Sequence, residues 1–131
     1  YHCCIYPTSV LLKRLDLINS LKKIKKLNAD YLIPITDFEY PPHRSFKKKG
    51  KNWIKFEKKK YINTRTQDAP RLFHDIGSFY FYKTSILLNK KKNLPYKTTF
   101  FYIDRFNTID INYHSDLKIA KLKYKLLNKN G

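Results

Sequence analysis

Short continuous apolar runs alternate along this chain with two stretches of helical spacing. Residues 2–6 are apolar and β-favouring, and Pro7-Thr8-Ser9 breaks them off. Leu17, Ile18, Leu21, Ile24 and Leu27 then recur three or four residues apart with lysines between them. That spacing predicts an amphipathic helix over residues 13–27, ended by Asn28-Ala29-Asp30. Residues 31–36 (Tyr31-Leu32-Ile33-Pro34-Ile35-Thr36) read as a second strand, and Pro34 predicts an edge position or an irregularity, because proline donates nothing to a ladder. Strand, helix and strand in this order form the βαβ pattern of an α/β sheet.

An excursion follows over residues 40–64. Tyr40-Pro41-Pro42-His43-Arg44 is rich in turn formers. Ser45-Phe46-Lys47 and Trp53-Ile54-Lys55-Phe56 flank Lys49-Gly50-Lys51-Asn52, which predicts a hairpin turning near Gly50. Trp53 and Phe56 require cover, from the local core or from another subunit. Residues 65–82 pass from a polar cluster, Arg65-Thr66-Gln67-Asp68, to the aromatic run Phe79-Tyr80-Phe81-Tyr82. A polar loop feeding a segment that requires burial is the pattern of a site loop anchored on a core strand. A short helix capped by Thr84 or Ser85, a loop over residues 90–95 and a strand over residues 98–103 come next. Asp110-Ile111-Asn112 is expected to be extended. A final helix over residues 116–127 is expected with His114 or Ser115 as its cap.

Composition narrows the classes. At 131 residues with 42% hydrophobic content, the chain is one domain or part of one, and it is not a disordered tail. It has no long apolar run and no charged-then-apolar leader, so a soluble cytoplasmic protein is expected. Cys3 and Cys4 are adjacent on a strand and face opposite sides, which predicts two buried, unbonded thiols. The net charge of +18 invites a nucleic-acid reading. Abundant Lys, Asn, Ile, Tyr and Phe also follow from A/T-rich codons, and the lysines cluster beside turns, so solvated surface is the preferred explanation. The chain opens inside a strand, from which a missing N-terminal part is expected.

Candidate chemistry is confined to a few residues. Asp110 and Asn112, two apart on an extended segment, project to one face and offer hard oxygen ligands that suit Mg²⁺. As loop and cap residues they would need no ligand. Arg65 and Gln67 are also two apart. Arginine offers a planar fork for carboxylate or phosphate, and glutamine reads a hydroxyl or amide. Arg44, on the proline-rich turn, is a further anion ligand candidate, and a surface salt link is the alternative for each. His74-Asp75 is expected to orient its loop rather than to transfer protons. The histidines and cysteines lack zinc spacing, and no nucleophile elbow is present. Gly50, Gly77 and Gly131 are the only glycines, so no glycine-rich loop in these residues can cradle a triphosphate.

Four segments in order carry a family resemblance: Cys3-Cys4-Ile5-Tyr6-Pro7-Thr8-Ser9; Tyr40-Pro41-Pro42-His43-Arg44; Arg65-Thr66-Gln67-Asp68 with His74-Asp75-Ile76-Gly77-Ser78-Phe79-Tyr80; and Asp110-Ile111-Asn112 with Asp116-Leu117 and Ala120. Together they resemble the cytidylyltransferases of the CMP-sialic acid synthetase superfamily, most of all those acting on pseudaminic acid. The resemblance implies a Rossmann-like nucleotide-diphospho-sugar transferase fold and transfer of CMP from CTP to an acidic nine-carbon sugar. It also implies Mg²⁺ held at Asp110, the catalytic position, and Asn112, and a homodimer in which the excursion reaches the partner's site. Arg65, Gln67 and Arg44 would hold the sugar, with Thr8 and Ser9 near the nucleotide or sugar. Asn112 and Tyr113 stand where the family carries an acid and a threonine, which makes Asn112 the weaker ligand. The family's N-terminal strand and basic phosphate loop would precede Tyr1. A basic nucleic-acid-binding module and an inactive truncated subunit are the competing readings.

Overall fold

The structure is a computed structural model that describes residues 1–88 and 97–128. Its strands are β1 (His2–Ile5), β2 (Tyr31–Asp37), β3 (Phe46–Lys49), β4 (Trp53–Phe56), β5 (Phe73–Asp75), β6 (Phe79–Tyr82) and β7 (Thr98–Tyr102). Its α-helices are α1 (Arg14–Lys26), α2 (Thr84–Leu87) and α3 (His114–Leu127). The loop expected over residues 90–95 lies outside the described residues. The chain separates into two compact units, one of Tyr1–Thr36 with Asp75–Gly131 and one of Asp37–His74.

The first unit is a mixed α/β arrangement. Strand β6 lies between β1 and β2 and runs antiparallel to both, pairing Cys4 with Tyr80 and Leu32 with Phe81. On its other edge β2 pairs in parallel with β7, from Tyr31 opposite Thr98 to Ile35 opposite Tyr102. The strand–helix–strand order of β1, α1 and β2 is therefore present, with β6 inserted between the two strands. Strands with neighbours on both edges and cover on both faces read as continuous apolar runs, and Phe79, Tyr80 and Phe81 are buried accordingly.

Proline at position 34 does not mark an edge. Strand β2 has neighbours on both sides, and Pro34 sits where one neighbour changes. Strand β6 pairs only as far as Leu32, and the Pro34 carbonyl accepts the N–H of Ile76 at 3.3 Å. A missing donor is tolerated at such a junction because no regular ladder bond falls there.

Helix α1 covers the sheet with the face its periodicity defined. Ile24 is fully buried in a cluster with Leu32, Ile76, Phe79 and Ile103, and Leu17 and Leu21 pack against it. Leu27 is exposed, since it caps the helix instead of continuing it. The Asp16 carboxylate accepts the Lys13 N–H at 3.1 Å and ties down the first turn of α1. Two cap expectations are corrected. Lys83 precedes α2, so Thr84 lies inside that helix. Tyr113 precedes α3, which starts at His114 because Asp116 accepts the N–H groups of Tyr113 at 2.8 Å and Asn112 at 3.0 Å. Cys3 and Cys4 are free and exposed on β1, contrary to the burial expected for them.

In the second unit β3 and β4 form the expected hairpin, pairing Phe46 with Phe56 and Lys49 with Trp53. Gly50 takes φ +66° in its turn, a conformation that glycine adopts without strain. The Glu57 N–H to Ser45 carbonyl bond at 3.0 Å extends the pairing. The Phe46 and Phe56 rings meet at 4.4 Å. Trp53, however, is 73% exposed, so the local cover expected for it does not exist within this unit. Single 3-10 turns at Pro42–Arg44, Lys59–Tyr61 and Thr66–Asp68 shape the rest.

Candidate functional site

In the first unit the segment before α3 brings Asp110 and Asn112 together. The Asn112 Nδ2 donates to Asp110 Oδ2 at 2.8 Å, and both side chains are exposed. The backbone here forms no strand, but the side chains share a face as their spacing predicted. Asp116 is committed elsewhere. Its carboxyl lies below the usual carboxylate range because first the Tyr113 and then the Asn112 backbone N–H donate to it. The donor set open to a cation is thus one carboxylate and one amide. Among the described residues no group of three His, Cys, Asp or Glu side chains could hold a metal by itself. This set fits Mg²⁺, which takes one or two protein oxygens and completes its shell with phosphates and water.

Thr8 and Ser9 belong to the turn after β1. The Ser9 hydroxyl donates to the Ser78 carbonyl at 2.6 Å, which ties that turn to the start of β6. Ser9, Ser78 and Asn107 line a cavity of only about 20 Å³, too small for a nucleotide or a sugar. Asp75 is an orienting group, as expected: its Oδ1 accepts the Gly77 N–H at 2.9 Å and its Oδ2 accepts the Tyr80 hydroxyl at 2.9 Å. Burial, reinforced by that hydrogen bond and the Asp75 charge, pushes the Tyr80 phenol well above its ordinary pKa. Tyr31, stacked on Tyr82 at 4.6 Å, is pushed up first by burial and then by its hydrogen bond with Tyr82.

The second unit holds Arg44, Arg65 and Gln67, all exposed. Arg65 precedes a 3-10 turn that contains Gln67, so the alternation of an extended chain does not relate them. This unit has a cavity of about 280 Å³ between the Pro41–His43 turn and residues 66–72. Gln67 lines it; Arg65 and Arg44 do not. Two lining residues carry interactions that sequence reading missed. Arg71 donates from Nε and Nη2 to the two Asp37 oxygens, each at 2.7 Å, in a bidentate pair. His43, 4% exposed, bonds through Nε2 to the Pro70 carbonyl at 2.6 Å and packs on the Tyr61 ring at 4.5 Å. A carbonyl only accepts, so Nε2 carries the proton. Both ties span about thirty residues of chain, and no local signal announces them. His74 packs on Phe38 with ring centroids 4.8 Å apart.

Comparison with known proteins bears on these groups. Two pseudaminic acid cytidylyltransferases from Campylobacter jejuni strains are each 31% identical over 124 residues, 95% of this chain and 53% of theirs. The chain is homologous to the pseudaminic acid cytidylyltransferases. It spans about half the length of these curated relatives. A Helicobacter pylori protein named for pseudaminic acid cytidylyltransferase and UDP-2,4-diacetamido-2,4,6-trideoxy-beta-L-altropyranose hydrolase is 38% identical over 79 residues, 60% of this chain and 15% of that protein. No family model matches the chain. Among the described residues no helix is long and apolar enough to cross a membrane.

Proposed function

We propose that this chain forms part of a cytoplasmic cytidylyltransferase. The enzyme would transfer CMP from CTP to the anomeric hydroxyl of an acidic nine-carbon sugar such as pseudaminic acid. One observation carries the reading: homology to enzymes of that name over 95% of the chain. The parallel pairing of β2 with β7, and α1 between β1 and β2, support a Rossmann-like nucleotide-diphospho-sugar transferase fold.

In the proposed reaction the sugar oxygen bonds to the α-phosphorus, the bond from that phosphorus to the bridging oxygen breaks, pyrophosphate leaves and the hydroxyl proton passes to solvent. Such a step depends on positioning and charge neutralisation. Asp110 and Asn112 would hold the Mg²⁺ that offsets the phosphate charge. Arg65 and Arg44 would bind the sugar carboxylate, and Gln67 a hydroxyl or amide. Thr8 and Ser9 would border the nucleotide or sugar. A homodimer would cover the exposed hairpin face around Trp53.

Pyrophosphate release from CTP and pseudaminic acid, assayed on the natural protein containing these residues, tests the reading. Asp110→Ala should lower turnover by roughly two to four orders of magnitude, the range for removing one transition-state electrostatic contact or general base. A near-normal rate would remove Asp110 from the metal role.

A further inference from the structure

The second unit segregates its charge. Residues 46–60 hold eight lysines against one acid, Glu57, while in the rest of Asp37–His74 three arginines stand against three acids. The unit's whole positive excess therefore sits on the β3–β4 ribbon and the turn after it. A codon bias supplies lysine but does not gather it on one element. Among the described residues Lys47 alone of the eight meets a carboxylate, Glu57 at 2.7 Å, and that pair is exposed. The remaining ammonium groups add to one local positive potential.

Pairing register sorts the ribbon into two faces, because directly paired residues and residues two apart share a face. Lys47 pairs with Lys55, and Lys49 with Trp53, so three lysines and the tryptophan lie on one face. Phe46, Ile54 and Phe56 lie on the other, the side on which a second copy would find apolar surface. Trp53 is largely exposed, so its indole offers an open ring face among cations.

Lysines bind a polyanion as point charges, and an open indole stacks on a base. A duplex keeps its bases stacked on one another and leaves the indole nothing to cover. An anionic membrane suits the lysines too, but a hairpin that dips into lipid needs an apolar tip, and this turn is Gly50-Lys51-Asn52. We infer that the lysine face of the ribbon binds single-stranded nucleic acid without sequence selection, with phosphates on Lys47, Lys49 and Lys55 and a base stacked on Trp53. This function is independent of the cytidylyltransferase reading.

The test is fluorescence anisotropy on the natural protein containing these residues, with a labelled oligodeoxythymidylate of about 12 nucleotides, a length within the range of one binding module. Three phosphate contacts on a single strand should give a slope of log K against log salt of about −2. Lys49→Gln combined with Lys55→Gln should bring that slope to about −0.7. Trp53→Ala should weaken binding roughly tenfold and leave the slope unchanged, and Trp53→Phe, which keeps an aromatic face, should recover most of the loss. Lys118→Gln combined with Lys121→Gln, exposed on α3 in the first unit, should change neither quantity. Equal effects of the two lysine pairs would mean diffuse attraction to the net charge, and full affinity in Trp53→Ala would mean that no base is stacked. Tighter retention by phosphatidylserine vesicles than by the oligonucleotide would give the face to a membrane. Each of these results, or no binding at low salt, overturns the inference.

Discussion

The unit built from Tyr1–Thr36 and Asp75–Gly131 closes around Ile24, Leu32, Phe79 and Ile103, whereas in Asp37–His74 the single buried residue is His43. One region is held by burial of apolar surface. The other is held by ties: a bidentate ion pair, a histidine–carbonyl bond, ring contacts and a run of 3-10 turns. Burial is non-directional and proportional to area, so it resists local damage in a graded way. Ties are few and directional, so losing a buried one such as the His43–Pro70 bond loosens the segments it joins. A region built on ties can keep polar groups exposed around a cavity, which a packed core cannot.

The largest expected effect sharpens that contrast from the core side. Phe79→Ala removes a fully buried ring at the centre of the sheet and should cost about 3–5 kcal/mol by chemical denaturation. A loss below about 1 kcal/mol would mean that the sheet is not held by this cluster. His43→Ala comes next, at about 1–3 kcal/mol for its buried hydrogen bond. Its signature is regional: amide exchange should accelerate within residues 37–74 and stay unchanged at Leu32 and Phe81. Uniform acceleration would erase the distinction between the two regions.

Alkaline pH probes the core through its phenols. Tyr31 and Tyr80 have pKa values raised in the folded chain, chiefly by burial. An unfolded tyrosine ionises at about pH 10, so above that value the unfolded chain releases protons that the folded chain retains. Stability should hold constant up to about pH 10 and fall as pH rises further. In Tyr80→Phe the fall should be shallower when denaturation midpoints at neutral and alkaline pH are compared. At the helix ends, Asp116→Asn should weaken the start of α3 and produce a small loss of far-UV helical signal. The smallest effect belongs to Trp53→Ser on the exposed hairpin, within about 0.5 kcal/mol for the isolated chain. A larger loss that depends on protein concentration would reveal cover from a second copy.

Particular residues show why legibility differed between the regions. The α1 face was readable because Leu17, Leu21 and Ile24 repeat at the helical period, and each must find the same apolar side. The hairpin was readable because Gly50 accepts a positive φ. The Asp110–Asn112 pairing was readable from a two-residue offset. Only the edge half of the Pro34 reading misled; the irregularity is present, because β2 changes partner at that residue. Cys3 and Cys4 misled for a related reason: apolar character predicts a wish for burial, and β1 leaves both exposed.

Taken by itself, the sequence determined the order and type of most elements, the burial of Phe79, Tyr80 and Phe81, and the chain's relatives, because each is written in spacings and motifs a few residues long. Tertiary structure decided that β6 enters between β1 and β2, that Arg71 meets Asp37 across 34 residues, and that His43 closes one wall of a cavity onto the other. Those pairings are chosen by how distant segments meet when the chain closes, and nothing within a local window of residues encodes the meeting.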